Sequence, residues 1–197
     1  MNFWDSRFSS QEYIYGIEPN EFFWDELLKL RPGSILLAGE GEGRNAKFAI
    51  ENQWKVMAVD ASTEGKNKAI KLIGKESENF KYEVSNLLDF DFGTEKFDAV
   101  GMSFLHLPSS IRKEIHQKLV KSLKSGGHII MEAFDISQLE MQSGGPKSPD
   151  MLYTKEMLEN DFEDCKHIIL ENTKTILSEG NHHKGEANVV RYLGQKL

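Results

Sequence analysis

The residues with the most chemical content are three glycines at alternate positions in Ile35-Leu36-Leu37-Ala38-Gly39-Glu40-Gly41-Glu42-Gly43-Arg44-Asn45. They separate a short apolar run from a segment with helical spacing, so the pattern predicts a strand, a tight loop and a helix. Glycine tolerates positive φ and lets a ligand approach the backbone, and a helix start presents unpaired amides. Seventeen residues after Gly43, Val56-Met57-Ala58-Val59-Asp60 ends a second apolar run on a carboxylate. An acid at that place is suited to accept hydrogen bonds from both hydroxyls of a ribose. Alone, the glycines also describe an ordinary tight turn and Asp60 a helix cap; together they predict a cradle for a nucleoside-bearing cofactor. Their Gly-x-Gly-x-Gly spacing differs from the Gly-x-Gly-x-x-Gly that seats a pyrophosphate on a helix start, which points away from NAD and from an NAD(P)-dependent oxidoreductase.

Other candidates lie further from the loop. His106, in Phe104-Leu105-His106-Leu107-Pro108, follows a fourth apolar run and so falls near the carboxyl ends of strands, where α/β ligands bind. Its two readings are a catalytic group for the substrate and a histidine that hydrogen-bonds the next helix start. Tyr13, Tyr15 and Gly16 precede the first core helix and are expected to fold over the cofactor, or, for Tyr13, to pack as an ordinary aromatic. His182-His183 lies in the polar connection Glu179 to Gly185 and is expected in a solvated turn, with contact at the substrate rim as the second reading; no Cys/His spacing suits zinc, so no metal is expected. Lys113, Lys118, Lys121 and Lys124 read as the solvated face of one amphipathic helix.

The elements that must hold these groups alternate. Ser34 to Ala38, Lys55 to Asp60, Phe80 to Val84, Phe97 to Met102 and His128 to Phe134 read as strands, and Glu21 to Leu30, Arg44 to Gln53, Thr63 to Ile73 and Ser109 to Leu123 as helices. Such alternation predicts βαβ units and a doubly wound, Rossmann-like α/β sheet. Past the fifth strand come a Gly/Pro loop at 143–149, a short helix Thr154 to Asp161, and two alternating runs, Lys166 to Leu177 and Asn188 to Leu193. The sheet should therefore be mostly parallel and end in an antiparallel pair, unlike the second mononucleotide half of a dehydrogenase.

At 197 residues the chain suits one domain, with 1–20 as a lid segment. A net charge of −7 argues against a nucleic-acid partner, which needs clustered Lys and Arg. One cysteine, Cys165, allows no intrachain disulfide, and neither a secretory leader nor a membrane span is legible, so a soluble cytoplasmic protein is expected, as monomer or homodimer.

These motifs, with Trp4-Asp5-x-Arg7-Phe8, Tyr13-Ile14-Tyr15-Gly16-x-Glu18-Pro19-Asn20, Ser103 to Pro108, Glu132-Ala133-Phe134 and Gly185 to Arg191, make the chain resemble the class I S-adenosylmethionine-dependent methyltransferases. Within them it is similar to the small tellurite-resistance and thiol-methyltransferase-like group. The resemblance implies S-adenosylmethionine as cofactor, with Gly39, Glu40, Gly41 and Gly43 lining it, Asp60 on its ribose and Asn86-Leu87 at its adenine. It also places Tyr15, Gly16 and Ser103 with the cofactor. Two positions depart from the family pattern, since Leu37 and Asn86 stand where relatives often carry Asp. The implied reaction is methyl transfer to a small nucleophile, a thiol or a selenium or tellurium species, with His106 as the catalytic candidate. Positioning and exclusion of water supply much of the acceleration in such a displacement. A non-catalytic S-adenosylmethionine sensor or assembly protein is the alternative.

Overall fold

The computed structural model describes residues 3–197; Met1 and Asn2, the first residues of the expected lid segment, lie outside the described residues. The chain runs α1 (Phe3–Phe8), α2 (Glu21–Leu27), β1 (Ser34–Ala38), α3 (Arg44–Glu51), β2 (Lys55–Asp60), α4 (Thr63–Ile73), β3 (Phe80–Val84), β4 (Phe97–Ser103), α5 (Ser109–Ser122), β5 (Leu123–Phe134), α6 (Lys155–Asp161), β6 (Cys165–Glu179) and β7 (His183–Lys196). Two short 3₁₀ turns, Ile136–Glu140 and Pro149–Met151, fill the loop before α6. The strands form one sheet in the order β3-β2-β1-β4-β5-β7-β6. The first five pair in parallel and β7 pairs antiparallel with both β5 and β6, as the sequence pattern predicts.

The central strands are apolar on both faces because both are covered. One core holds Leu36, Val100, Ile115, Leu119, Met131, Tyr153 and Phe162; the other holds Phe23, Leu27, Ile35, Leu37, Ala46, Trp54 and Ile130. Caps account for several boundaries. Asn20 accepts from the Phe23 amide to start α2, and Ser62 accepts from the Gly65 amide to start α4. α2 stops at Leu27, short of the expected Leu30, as the chain turns toward Pro32. β6 runs slightly beyond its expected bounds, whereas β7 is much longer than the expected Asn188 to Leu193, because its ends, His183 to Glu186 and Gly194 to Lys196, are polar or glycine and escape a hydrophobicity count.

Behind the sheet, Asp161 joins α5 to α6. Its carboxylate accepts from Arg112 Nε at 2.7 Å and His116 Nδ1 at 2.9 Å and is held below the usual carboxylate range; burial alone would raise it, but these two partners outweigh that. No helix among the described residues is long and apolar enough to cross a membrane.

Candidate active site

The strand order reverses between β1 and β4, and a cavity of about 530 Å³ opens at their carboxyl ends, within the usual size range for small-molecule sites. The glycine loop forms its floor. Gly41 takes φ 62°, and its amide donates to Asp60 Oδ2 at 3.0 Å while its carbonyl accepts from Tyr82 OH at 2.6 Å. The Ser62 amide donates to the other Asp60 oxygen at 2.9 Å. Burial raises Asp60 to about 6 although these amides favour its ionised form. Glu40 is also enclosed; its Oε1 accepts from the Ala46 amide at 2.7 Å, and burial raises it to about 7. Gly39, Glu40, Gly41, Asp60, Ser103, Tyr15, Gly16 and His106 all line the cavity, as the sequence suggests.

Three expected cofactor residues sit elsewhere. Gly43 (φ 92°) is the N-cap of α3, and a Cβ there would stand 2.6 Å from Ala69 Cβ, so its role is to let α3 approach α4. Leu87 is buried in the core below the sheet edge. Asn86 is exposed and turns inward on its own loop, accepting from the Leu88 amide at 3.0 Å. Neither Asn86 nor Leu87 is in the cavity wall. Leu37 is fully buried in the core behind β1, against Phe23 and Gly101, and so presents nothing to the site.

The N-terminal segment closes one side. Helix α1 was not legible in the sequence, yet Phe3, Trp4, Arg7 and Phe8 all face the cavity, with Trp4 and Phe8 stacked at 5.5 Å. Asp5 docks this helix on α4 by accepting from Ser62 Oγ at 2.7 Å and the Glu64 amide at 3.2 Å. Glu42, also buried, accepts from the Ile14 amide at 2.8 Å and from Lys68 Nζ at 2.7 Å, which fastens the arm to the glycine loop. Arg7 lies against the Phe3 ring, its guanidinium 5.2 Å from the ring centre, and is ion-paired with no carboxylate among the described residues.

The opposite end of the cavity is apolar and aromatic. Phe104, held at φ 53°, packs its ring 4.6 Å from Phe134 and 4.5 Å from His183, and Gly144, Gly145, Pro146 and Met151 complete the wall. His106 stacks on Phe134 at 5.5 Å. Its Nδ1 donates to the Met151 carbonyl at 2.7 Å, and burial pushes the imidazole down to about 4. That makes it a weak base, and the Phe134 amide already approaches its Nε2 at 3.5 Å.

His183 corrects the expectation of a solvated turn. Only 6% exposed, it closes the β6–β7 hairpin inward and lines the cavity, whereas its neighbour His182 is exposed. The tip is drawn in by buried polar bonds. Glu179 accepts from His183 Nδ1 at 3.2 Å, Arg44 Nη2 at 2.9 Å and Asn20 Nδ2 at 3.1 Å; Asn20 also donates to Glu132, which receives Arg191 Nε at 2.6 Å. Burial would raise Glu179, but the Arg44 charge and the bonds from His183 and Arg44 hold it near 2. None of this network was legible, because its members lie on five separate elements.

Residues 35–127, from β1 through the glycine loop and Asp60 into β5, match the family model described as a methyltransferase domain. No curated protein matches the chain. Among solved structures, the fold is similar to one described as converting a disulfide bond into a thioacetal group during echinomycin biosynthesis, with a TM-score of 0.78, 17% identity, and 98% of this chain and 90% of that chain covered. It is also similar to TehB from Haemophilus influenzae, with a TM-score of 0.73, 13% identity and coverage of 99% and 66%. A third is the 1,6-didemethyltoxoflavin-N1-methyltransferase of Burkholderia thailandensis, bound to its acceptor and S-adenosylhomocysteine, with a TM-score of 0.64, 17% identity and coverage of 88% and 74%. That domain match spans the strand, loop and acidic residue that build the cavity floor, so the site is built on a methyltransferase domain, with S-adenosylmethionine as its cofactor.

Proposed function

We propose that this enzyme methylates a small-molecule nucleophile, a thiol or a related selenium or tellurium species, under a lid formed by residues 1–20. The observation that carries the reading is the polarity of the cavity. Its charged lining residues, Arg7, Glu40, Glu42, Arg44 and Asp60, gather at the glycine-loop end, while the far end is walled by Phe104, His106, Phe134, Pro146, Met151 and His183. A polar donor fits the first half and a small, mostly apolar acceptor the second.

The residues present fit the donor. A Cβ at Gly41 would stand 3.1 Å from Phe8 Cζ, so glycine keeps the space between the loop and the aromatic arm open. Asp60 accepts from the backbone amides of Gly41, Ser62 and Ala61, and its carboxylate would also take the ribose hydroxyls. Arg7 would hold the donor's carboxylate, and Glu40, facing the cavity at the end where Leu37 offers no acid, its amino group. Ser103 and Gly16 bound the same end, and Tyr15 lies where the two halves meet, its ring 4.5 Å from that of His183. The donor supplies a methyl group on a sulfonium with a good leaving group; the protein's part is to align acceptor and methyl in the apolar half and keep water out. Similarity to a methyltransferase that acts on 1,6-didemethyltoxoflavin supports a small-molecule acceptor. Titration with S-adenosylmethionine, S-adenosylhomocysteine and NADH, followed by a labelled-methyl screen of thiols, selenite and tellurite, tests it. Binding of NADH in preference to S-adenosylhomocysteine, or the absence of any methylated small molecule, overturns it.

A further inference from the structure

We propose that His183 is the base that removes the proton from the acceptor, that Glu179 positions it, and that the acceptor is a small apolar thiol; this rests on the methyl-transfer reading above. The geometry follows from which atoms can donate. Glu179 is ionised, so it only accepts, and the Nδ1 of His183 facing its Oε2 at 3.2 Å must carry the ring proton. The lone pair of the neutral ring is therefore on Nε2. That atom has no partner among the described residues, and it is not sealed in: the buried side-chain nitrogen without a partner is His116 Nε2, on the other side of the sheet. His183 Nε2 opens instead onto the cavity, past Gly144. A carboxylate on one ring nitrogen and a free lone pair on the other is the arrangement that orients a histidine base and stabilises the imidazolium formed when it takes a proton.

The remaining groups decide between candidates. His106 has a carbonyl, not a carboxylate, on Nδ1 and an amide beside Nε2, so it gains less on protonation. Arg44, His182 and His106 disfavour the charged ring of His183, Glu179 favours it, and Tyr15 packs on it at 4.5 Å; burial is the largest influence and lowers it below its ordinary value. The ring is thus neutral and ready to accept at neutral pH. The walls around Nε2 are Phe104, Phe134 and Tyr15, and the nearby cation Arg44 is already paired with Glu179, so little replaces the hydration of an oxyanion such as selenite or tellurite. A neutral thiol, with a pKa near 8.5, enters such a site without that cost and needs its proton removed. In the step, the S–H bond breaks and its proton moves to His183 Nε2. The freed sulfur pair forms the S–CH₃ bond, the donor's bond to that methyl breaks with its electron pair going to the sulfonium sulfur, and the histidine returns the proton to solvent.

Two thiols separate base catalysis from packing: phenylmethanethiol, protonated at pH 7, and pentafluorobenzenethiol, already anionic. His183→Asn should slow methylation of the first by about 10² to 10⁴-fold, the range for a general base, and of the second by less than about tenfold, with S-adenosylhomocysteine affinity retained. The deficit on the first should shrink as pH rises past its pKa. Glu179→Asp, which keeps the charge, should recover more of the rate than Glu179→Gln. Nitrogen-detected NMR of the wild-type protein with S-adenosylhomocysteine should show His183 as the Nδ1–H tautomer at pH 7.5. Equal losses on both thiols, a pH-independent deficit, or an Nε2–H tautomer overturns the base role. Wild-type protein that binds S-adenosylhomocysteine yet methylates neither thiol overturns the thiol assignment while leaving the donor site standing.

Discussion

Replacing Asp60 by Asn should make the donor-free protein more stable relative to wild type as pH rises, while making it a poorer binder. The carboxylate is buried where ionisation is costly, and its folded value of about 6 stands above the 3.8 of the free side chain. At 1.36 kcal/mol per pH unit, the ionised group costs the folded state about 3 kcal/mol. The sign follows from proton counting. Between pH 3.8 and about 6 the folded protein holds a proton that the unfolded chain has released, so wild-type stability falls through that window and is flat above it. Asparagine does not titrate, so the variant lacks this loss. Its amide accepts from only one of the Gly41 and Ser62 N–H groups, a penalty of about 1–3 kcal/mol that does not depend on pH. Urea denaturation of both proteins at pH 3.8 and pH 7.5 should therefore show the stability difference moving toward the variant by about 3 kcal/mol. Titration at pH 7.5 should show S-adenosylhomocysteine bound about tenfold more weakly, as hydrogen bonds to a charge are exchanged for bonds to a neutral amide. A stability difference that is the same at both pH values, or undiminished binding, would refute the reasoning.

Gly41→Val places a branched residue at φ 62° against the Phe8 ring, and titration calorimetry should find no S-adenosylhomocysteine binding while circular dichroism keeps the α/β spectrum. Deleting residues 1–16 removes Trp4, Arg7, Phe8 and Tyr15 from the cavity wall and should reduce turnover by more than about tenfold, read as labelled-methyl transfer under saturating acceptor. His106→Ala should leave donor affinity unchanged and lower turnover without altering the shape of the pH–rate profile, because a histidine near 4 is already neutral over the working range. Asp161→Ala strands His116 and Arg112 between α5 and α6 and should cost about 3 kcal/mol in urea denaturation, the lower end for a broken buried pair since Arg112 keeps some access to water.

The legible parts are those where one local signal suffices. β1, β2, β3 and α4 fall where their apolar runs and helical spacing place them, since each of these short elements carries its pattern in adjacent residues. The glycine loop and Asp60 belong to the same class, as two features of one βαβ unit. What escaped depends on distant chain. Helix α1 is seated by Asp5 on α4, some 57 residues away. His183 looked solvated because its neighbours Asn181, His182 and Lys184 are polar and exposed, and only Glu179, Arg44 and Phe104 turn it inward. Gly43 shows the converse case, a motif residue that stands outside the cavity wall and lies close against Ala69 of α4.

The hairpin that carries Glu179 and His183 has a consequence for how the enzyme is made. Asn20 reaches Glu179 across 159 residues of chain, and the Gly180 backbone packs directly on Ile14 and Gly16. β7 must insert between β5 and β6 before that tip can arrive. During translation the glycine loop and Asp60 leave the ribosome long before the wall that faces them, so a nascent chain can assemble the floor of the pocket with its far side open to water. Contacts of such long range form late. A donor molecule that reaches the incomplete pocket meets an open side where His183 stands against Phe104 in the finished protein, so the hairpin is the part of the chain that completes the enclosure.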